Sequence, residues 1–110
     1  MPAARQYELE FTASINTVAL LTDKDRPKEF RVSYKTTRHL FSTDGGSTAL
    51  YVLSFARDVS VGLVAAGLYD LIKKHATGKS DKMTIDRKTI LIEKGQIKKV
   101  IEEHIAHEKK

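Results

Sequence analysis

The residues of this chain best suited to chemistry gather near its end, in EKGQIKKVIEEH (93–104). Lys94, Lys98 and Lys99 stand where a helix begins near Gly95, and Glu102, Glu103 and Glu108 come later. Helices favour acids in the first turn and bases in the last, so this order opposes the dipole. Backbone N–H groups at such a terminus, with a glycine and three lysines beside them, describe an anion pocket to which Arg87 and Lys88 add charge. Its ligand would be a phosphate of nucleic acid or of a nucleotide. The same charges also describe a solvated surface helix, with Lys98 and Glu102, and Lys99 and Glu103, as i, i+4 pairs.

Other chemistry-bearing residues form no catalytic set. His104 and His107 are three apart, close enough on a helix to share a metal, yet His104 falls on an apolar stripe and reads as structural. TTRHLFST (36–43) places His39 among threonine, arginine and serine, with no orienting partner. GKS (78–80) would need a glycine at position 73 to be a phosphate loop, and Lys73 stands there. The chain has no cysteine, which removes disulfides and thiolate zinc sites. The expectation is a non-enzymatic protein with no catalytic residues, no metal and no cofactor.

These residues must be carried by a single small domain, since 110 residues build one core and no second. Charge is uneven along it. Residues 1–70 hold eight Lys and Arg against eight Asp and Glu, whereas residues 71–110 hold eleven against six, which leaves the net +5 in the second part. Such a segment attracts polyanions or acidic partners, and it also keeps a protein dispersed. The start of the chain shows no secretory apolar core, and the uncharged run from Val59 to Tyr69 is shorter than the ~20 residues of a bilayer span. A cytoplasmic protein without a membrane span is expected.

Gln6 to Thr12 alternates, with Tyr7, Leu9 and Phe11 on one face and Glu8, Glu10 and Thr12 on the other. Glu29 to Thr36 repeats the pattern, with Phe30, Val32 and Tyr34 inward and Arg31, Ser33 and Lys35 outward. The opposite charges of the two outer faces place these strands side by side or nearly so. All four aromatic rings then belong to the core, so nucleic-acid binding would be directed at the backbone and sensitive to salt. Residues 15–21, INTVALL, read as strand or short helix, and their β-branched content favours strand. DKDRPK (23–28) and TDGGS (43–47) are turns, and ALYVLSF (49–55) is a strand with helix as its competitor.

SVGLVAAGLYDLIKKH (60–75) reads as a buried helix, with Val61, Val64, Ala65, Leu68 and Ile72 sharing the face laid on the sheet. Gly62 and Gly67 each cost about 1 kcal/mol relative to alanine there, so close packing must offset them. Gly62, Leu63, Ala66 and Gly67 turn elsewhere: the glycines either relieve crowding inside one subunit's core, or the four residues form a self-association surface, where a second backbone approaches the small residues. MTIDRKTILIE (83–93) reads as a hairpin turning around Asp86, Arg87 and Lys88. Ile97, Val100, Ile101, His104 and Ile105 then form the narrow stripe of a last amphipathic helix.

VGLVAAGLYDLIKKH, MTIDRKTILIE and IKKVIEEHI together resemble the carboxy-terminal part of small bacterial proteins attached to effector or immunity systems as accessory domains. The resemblance covers about half the chain and implies an accessory role in a prokaryote or phage, with no site residues transferred. The expected fold is a two-layer α+β domain: an antiparallel sheet, a long buried helix, a β-hairpin and a C-terminal amphipathic helix. The expected function is a small interaction or accessory protein that forms homo-oligomers or binds a protein partner. The alternative is a nucleic-acid or phosphate-binding module using Arg87, Lys88, Lys94, Lys98 and Lys99.

Overall fold

A computed structural model of the chain describes residues 6–25, 27–38, 48–77 and 81–108. Its elements run β1 (Gln6–Ala13), α1 (Thr17–Thr22), β2 (Phe30–Arg38), β3 (Thr48–Ala56), α2 (Val61–His75), β4 (Lys82–Ile85), β5 (Lys88–Leu91) and α3 (Lys94–Glu108). The five strands form one antiparallel sheet in the order β2-β3-β1-β4-β5. This is the two-layer α+β arrangement that the alternation and the helical stripes call for. Tyr7, Leu9, Phe11 and Ala13 point to the same core as Leu20 of α1, Leu68 and Ile72 of α2 and Ile97 and Ile101 of α3. The intervening residues of β1 face away from the helices, as is usual for an antiparallel sheet covered on one side.

β1 and β2 are not adjacent, because β3 lies between them, in register with both: Leu53 sits opposite Leu9 on one side and Val32 on the other. The charge complementarity of their outer faces survives this separation. Lys35 Nζ reaches across β3 to Glu10 Oε2 at 2.5 Å. Both groups are about half exposed, so the pair contributes at most about 1 kcal/mol. A bulge between Tyr34 and Thr36 displaces Lys35 from the regular ladder.

Residues 15–21 correct the expectation of a strand. Only Ile15 makes an isolated bridge, to Ala76, and α1 begins two residues later. Asn16 is its N-cap, with Oδ1 accepting from the Ala19 backbone N–H at 3.1 Å. A six-residue helix owes little to propensity. Its place is held by Leu20, which is wholly buried and contributes on the order of 1.5–3 kcal/mol, and by a 2.7 Å hydrogen bond between Thr17 Oγ1 and the phenol of Tyr51. Tyr51 in turn stacks on Phe11 with ring centroids 5.2 Å apart.

α2 is half-buried rather than enclosed. Val64, Ala65, Leu68, Leu71 and Ile72 are covered, while Leu63, Asp70, Lys73 and Lys74 are exposed, because only one helical layer packs on the sheet. α3 lies beside it, with Ile97, Val100 and Ile101 buried. The hairpin β4-β5 turns on Asp86 and Arg87, whose φ values of 52° and 69° are those of a two-residue type I′ turn.

Candidate interaction surface

The five cations expected to form an anion pocket do not converge. Arg87 lies in the hairpin turn, and Lys88 pairs with Glu103 at 3.1 Å. Lys94 instead places its Nζ 5.3 Å from the ring centroid of Tyr69, over which Lys73 also sits at 5.7 Å. Lys98 and Lys99 are exposed on α3. The helix starts one residue before Gly95, and Glu93 holds the preceding position: its carbonyl accepts from the Ile97 N–H at 3.0 Å and its carboxylate from Gln96 Nε2 at 3.2 Å. An acid therefore stands at this terminus, and the dipole is less opposed than the lysines alone suggest.

The four residues of the expected self-association surface also separate. Leu63 is 57% exposed, and a Cβ placed on Gly62 would meet nothing nearer than Ser60 Oγ at 3.6 Å. Among the described residues no second backbone comes within 4 Å of that position. Gly67 turns the other way. A Cβ there would lie 2.7 Å from Phe30 Cε1 and 3.2 Å from Pro27 Cγ, so this glycine admits the Phe30 ring of β2 and has its reason inside the chain. Gly62, Leu63 and Ala66 remain as an outward ridge.

His104 turns to Asp86, with Nδ1 and Oδ2 3.1 Å apart, and thereby ties α3 to the hairpin turn. Among the described residues no three His, Asp or Glu side chains gather as a metal site. His39, GKS (78–80) and TDGGS lie outside the described residues.

A cluster absent from the sequence reading joins α1 to the end of α2. Asp23 caps α1 and is almost covered, and its Oδ2 lies 2.7 Å from His75 Nε2 and 2.9 Å from Lys74 Nζ. The Lys74 hydrogen bond, the Asp25 backbone N–H and His75 together hold the Asp23 carboxyl well below the ordinary carboxylate range. The same hydrogen bond pushes the Lys74 ammonium up. Three bases in the last turn of a helix, Lys73, Lys74 and His75, are a signal that an acid should meet them, but the dipole of α2 already supplies an explanation for all three.

Asp23 also closes one end of an open groove of about 750 Å³, lined by Lys24, Pro27, Lys28, Phe30, Arg31, Val32, Ser33 and Leu71. The groove runs along the outer edge of β2. That edge is one of two in the sheet, and the two are treated differently. At β5, only four residues long, the Leu91 backbone N–H donates to Gln96 Oε1 at 3.1 Å, so α3 closes part of the ladder. β2 spans nine residues, and among the described residues no backbone hydrogen bond joins its outer edge to another segment.

No family model, curated protein or solved structure matches the chain. Among the described residues no helix is long and apolar enough to cross a membrane.

Proposed function

We propose that this chain is a small, non-enzymatic interaction module that takes up a segment of another polypeptide at the edge of β2. The observation that carries the reading is the long uncovered strand edge beside a groove with an apolar floor of Pro27, Phe30, Val32 and Leu71. Main-chain groups along such an edge offer affinity, and pockets for alternate side chains offer selectivity. The ionisable clusters support it from the other direction: Asp23 with Lys74 and His75, Asp86 with His104, and Lys88 with Glu103 each tie two elements together. An accessory role in the cytoplasm of a prokaryote or its phage belongs to the same proposal, and a chain without cysteine suits it.

The test is amide hydrogen exchange with a panel of extended peptides. Pairing at this edge slows exchange at residues 30–34 more than anywhere in β5. Equal protection of both edges, or none, removes the reading. Self-association belongs to the proposal through a different surface, the ridge of Gly62, Leu63 and Ala66, and it is read by sedimentation over a concentration series. A dimer that Leu63→Glu dissociates supports it; a monomer at high micromolar concentration ends it.

The phosphate-binding reading is favoured by one observation, two ammonium groups brought over the single ring of Tyr69. Fluorescence anisotropy with generic RNA and DNA then shows salt-dependent binding that a Lys73→Glu/Lys94→Glu double variant weakens more than Lys98→Glu/Lys99→Glu does.

A further inference from the structure

We infer that the occupant of the β2 groove is an extended segment of alternating apolar and acidic residues on a partner protein, and not a second copy of this chain. The inference rests on the edge reading above and adds the chemistry of the partner. Strand residues alternate in direction, so Phe30 and Val32 of β2 point toward the helices while Arg31 and Ser33 point to the outer face. A strand added alongside follows the same alternation. Every second side chain of the partner enters the groove over Phe30, Pro27 and Leu71, and the others lie on the outer face beside Arg31.

The charge of the groove selects their sign. Lys24, Lys28 and Arg31 line it, all exposed, and among the described residues none of the three has an ion-pair partner. The one carboxylate in the lining is Asp23, and Lys74 and His75 already engage it. Asp25 and Glu29 are near in sequence but are not part of the lining. An acidic strand therefore meets unneutralised cations along the groove.

A second copy meets the opposite situation. Pairing two β2 edges about a twofold axis brings the cations lining one groove, Arg31 among them, toward those of the other, and like charges across strands repel. The bulge after Tyr34 further confines a regular ladder to residues 30–34. A basic side chain and a bulge are devices by which sheet edges avoid their own kind, and both leave the edge open to a short strand of opposite charge.

The experiment uses the whole chain and short synthetic peptides, with binding followed by calorimetry and by amide exchange at low salt. One peptide alternates valine and glutamate, a second replaces glutamate with glutamine, a third with lysine, and a fourth is the acidic peptide N-methylated at alternate residues. The expected result is that the acidic peptide binds at least about tenfold more tightly than the glutamine peptide, weakens with salt, and protects residues 30–34. N-methylation abolishes this, and the Lys28→Glu/Arg31→Glu variant, folded by circular dichroism, reverses the preference toward the lysine peptide. Equal binding of acidic and glutamine peptides overturns the acidic partner while leaving the edge reading intact. Binding that protects other residues, or no binding by any peptide, overturns both. A concentration-dependent dimer that protects residues 30–34 with no peptide present makes the second copy the occupant and overturns the inference.

Discussion

The backbone of Gly67 lies directly against the aromatic ring of Phe30, with Pro27 close behind. A side chain at Gly67 would collide with that ring, whereas one at Gly62 would not, which separates the two glycines of the helix by function. Gly67→Ala gains about 1 kcal/mol of helix propensity but forces a methyl into a ring that is itself buried. The net expectation is a loss of roughly 1–3 kcal/mol, the range for overpacked cores. A methyl on Gly62 meets Ser60 Oγ at an ordinary contact distance of 3.6 Å, so Gly62→Ala should gain up to about 1 kcal/mol. Urea denaturation of the two variants gives midpoints that move in opposite directions; a shared direction would show that the ring yields or that Gly62 is constrained by something else.

The turn at Asp86 and Arg87 holds two non-glycine residues at positive φ. Asp86 tolerates this conformation better than Arg87, and it also hydrogen-bonds His104. Arg87→Gly should therefore stabilise the fold by up to about 1 kcal/mol, read as a higher denaturation midpoint with an unchanged slope. If the midpoint falls, the arginine side chain holds the hairpin through a contact that outweighs its backbone strain.

Acid should loosen the junction of α1 and α2. The folded carboxyl of Asp23 has its pKa lowered by Lys74, the Asp25 N–H and His75, so it binds a proton less readily than in the unfolded chain. Its contribution to stability is thus fully present above about pH 4, the ordinary aspartate value, and is lost as pH falls from there toward the depressed folded value. Asp23→Asn removes that dependence. Thermal midpoints of the two proteins should differ at neutral pH and approach each other as pH drops below about 4. A difference that grows on acidification would contradict the assignment.

Much of this architecture was legible before any coordinates. The alternation of Tyr7, Leu9 and Phe11, and the stripe of Val64, Ala65, Leu68 and Ile72, name faces of the core because a period of two or of 3.6 admits few alternatives. The two charged faces of β1 and β2 foretold the contact between Lys35 and Glu10, though not the strand between them, since charge acts across a neighbour as well as directly. Residues 15–21 misled because β-branched content outweighed the single Asn16, and a cap is one side chain against a whole window. The groove was invisible for a different reason. Its lining falls within residues 23–33 except for Leu71 of α2, and a turn followed by a strand does not announce that packing leaves it open beside that helix. The glycines behaved likewise, as the reason for Gly67 is a ring 37 positions earlier in the sequence.

β1 occupies the middle of the sheet although it is the earliest strand described, and it meets β4 only through Phe11 with Ile85 and Thr12 with Thr84. During synthesis that strand must wait, unpaired on one flank, until β4 is made, with Lys82 following Ala13 by 69 positions. The Asp86 backbone N–H in the β4-β5 turn adds one bond to the Glu10 carbonyl at 2.8 Å. Completion of the sheet is consequently a late event, and a nascent chain halted before β4 would leave the β4-facing edge of β1 open beside β3.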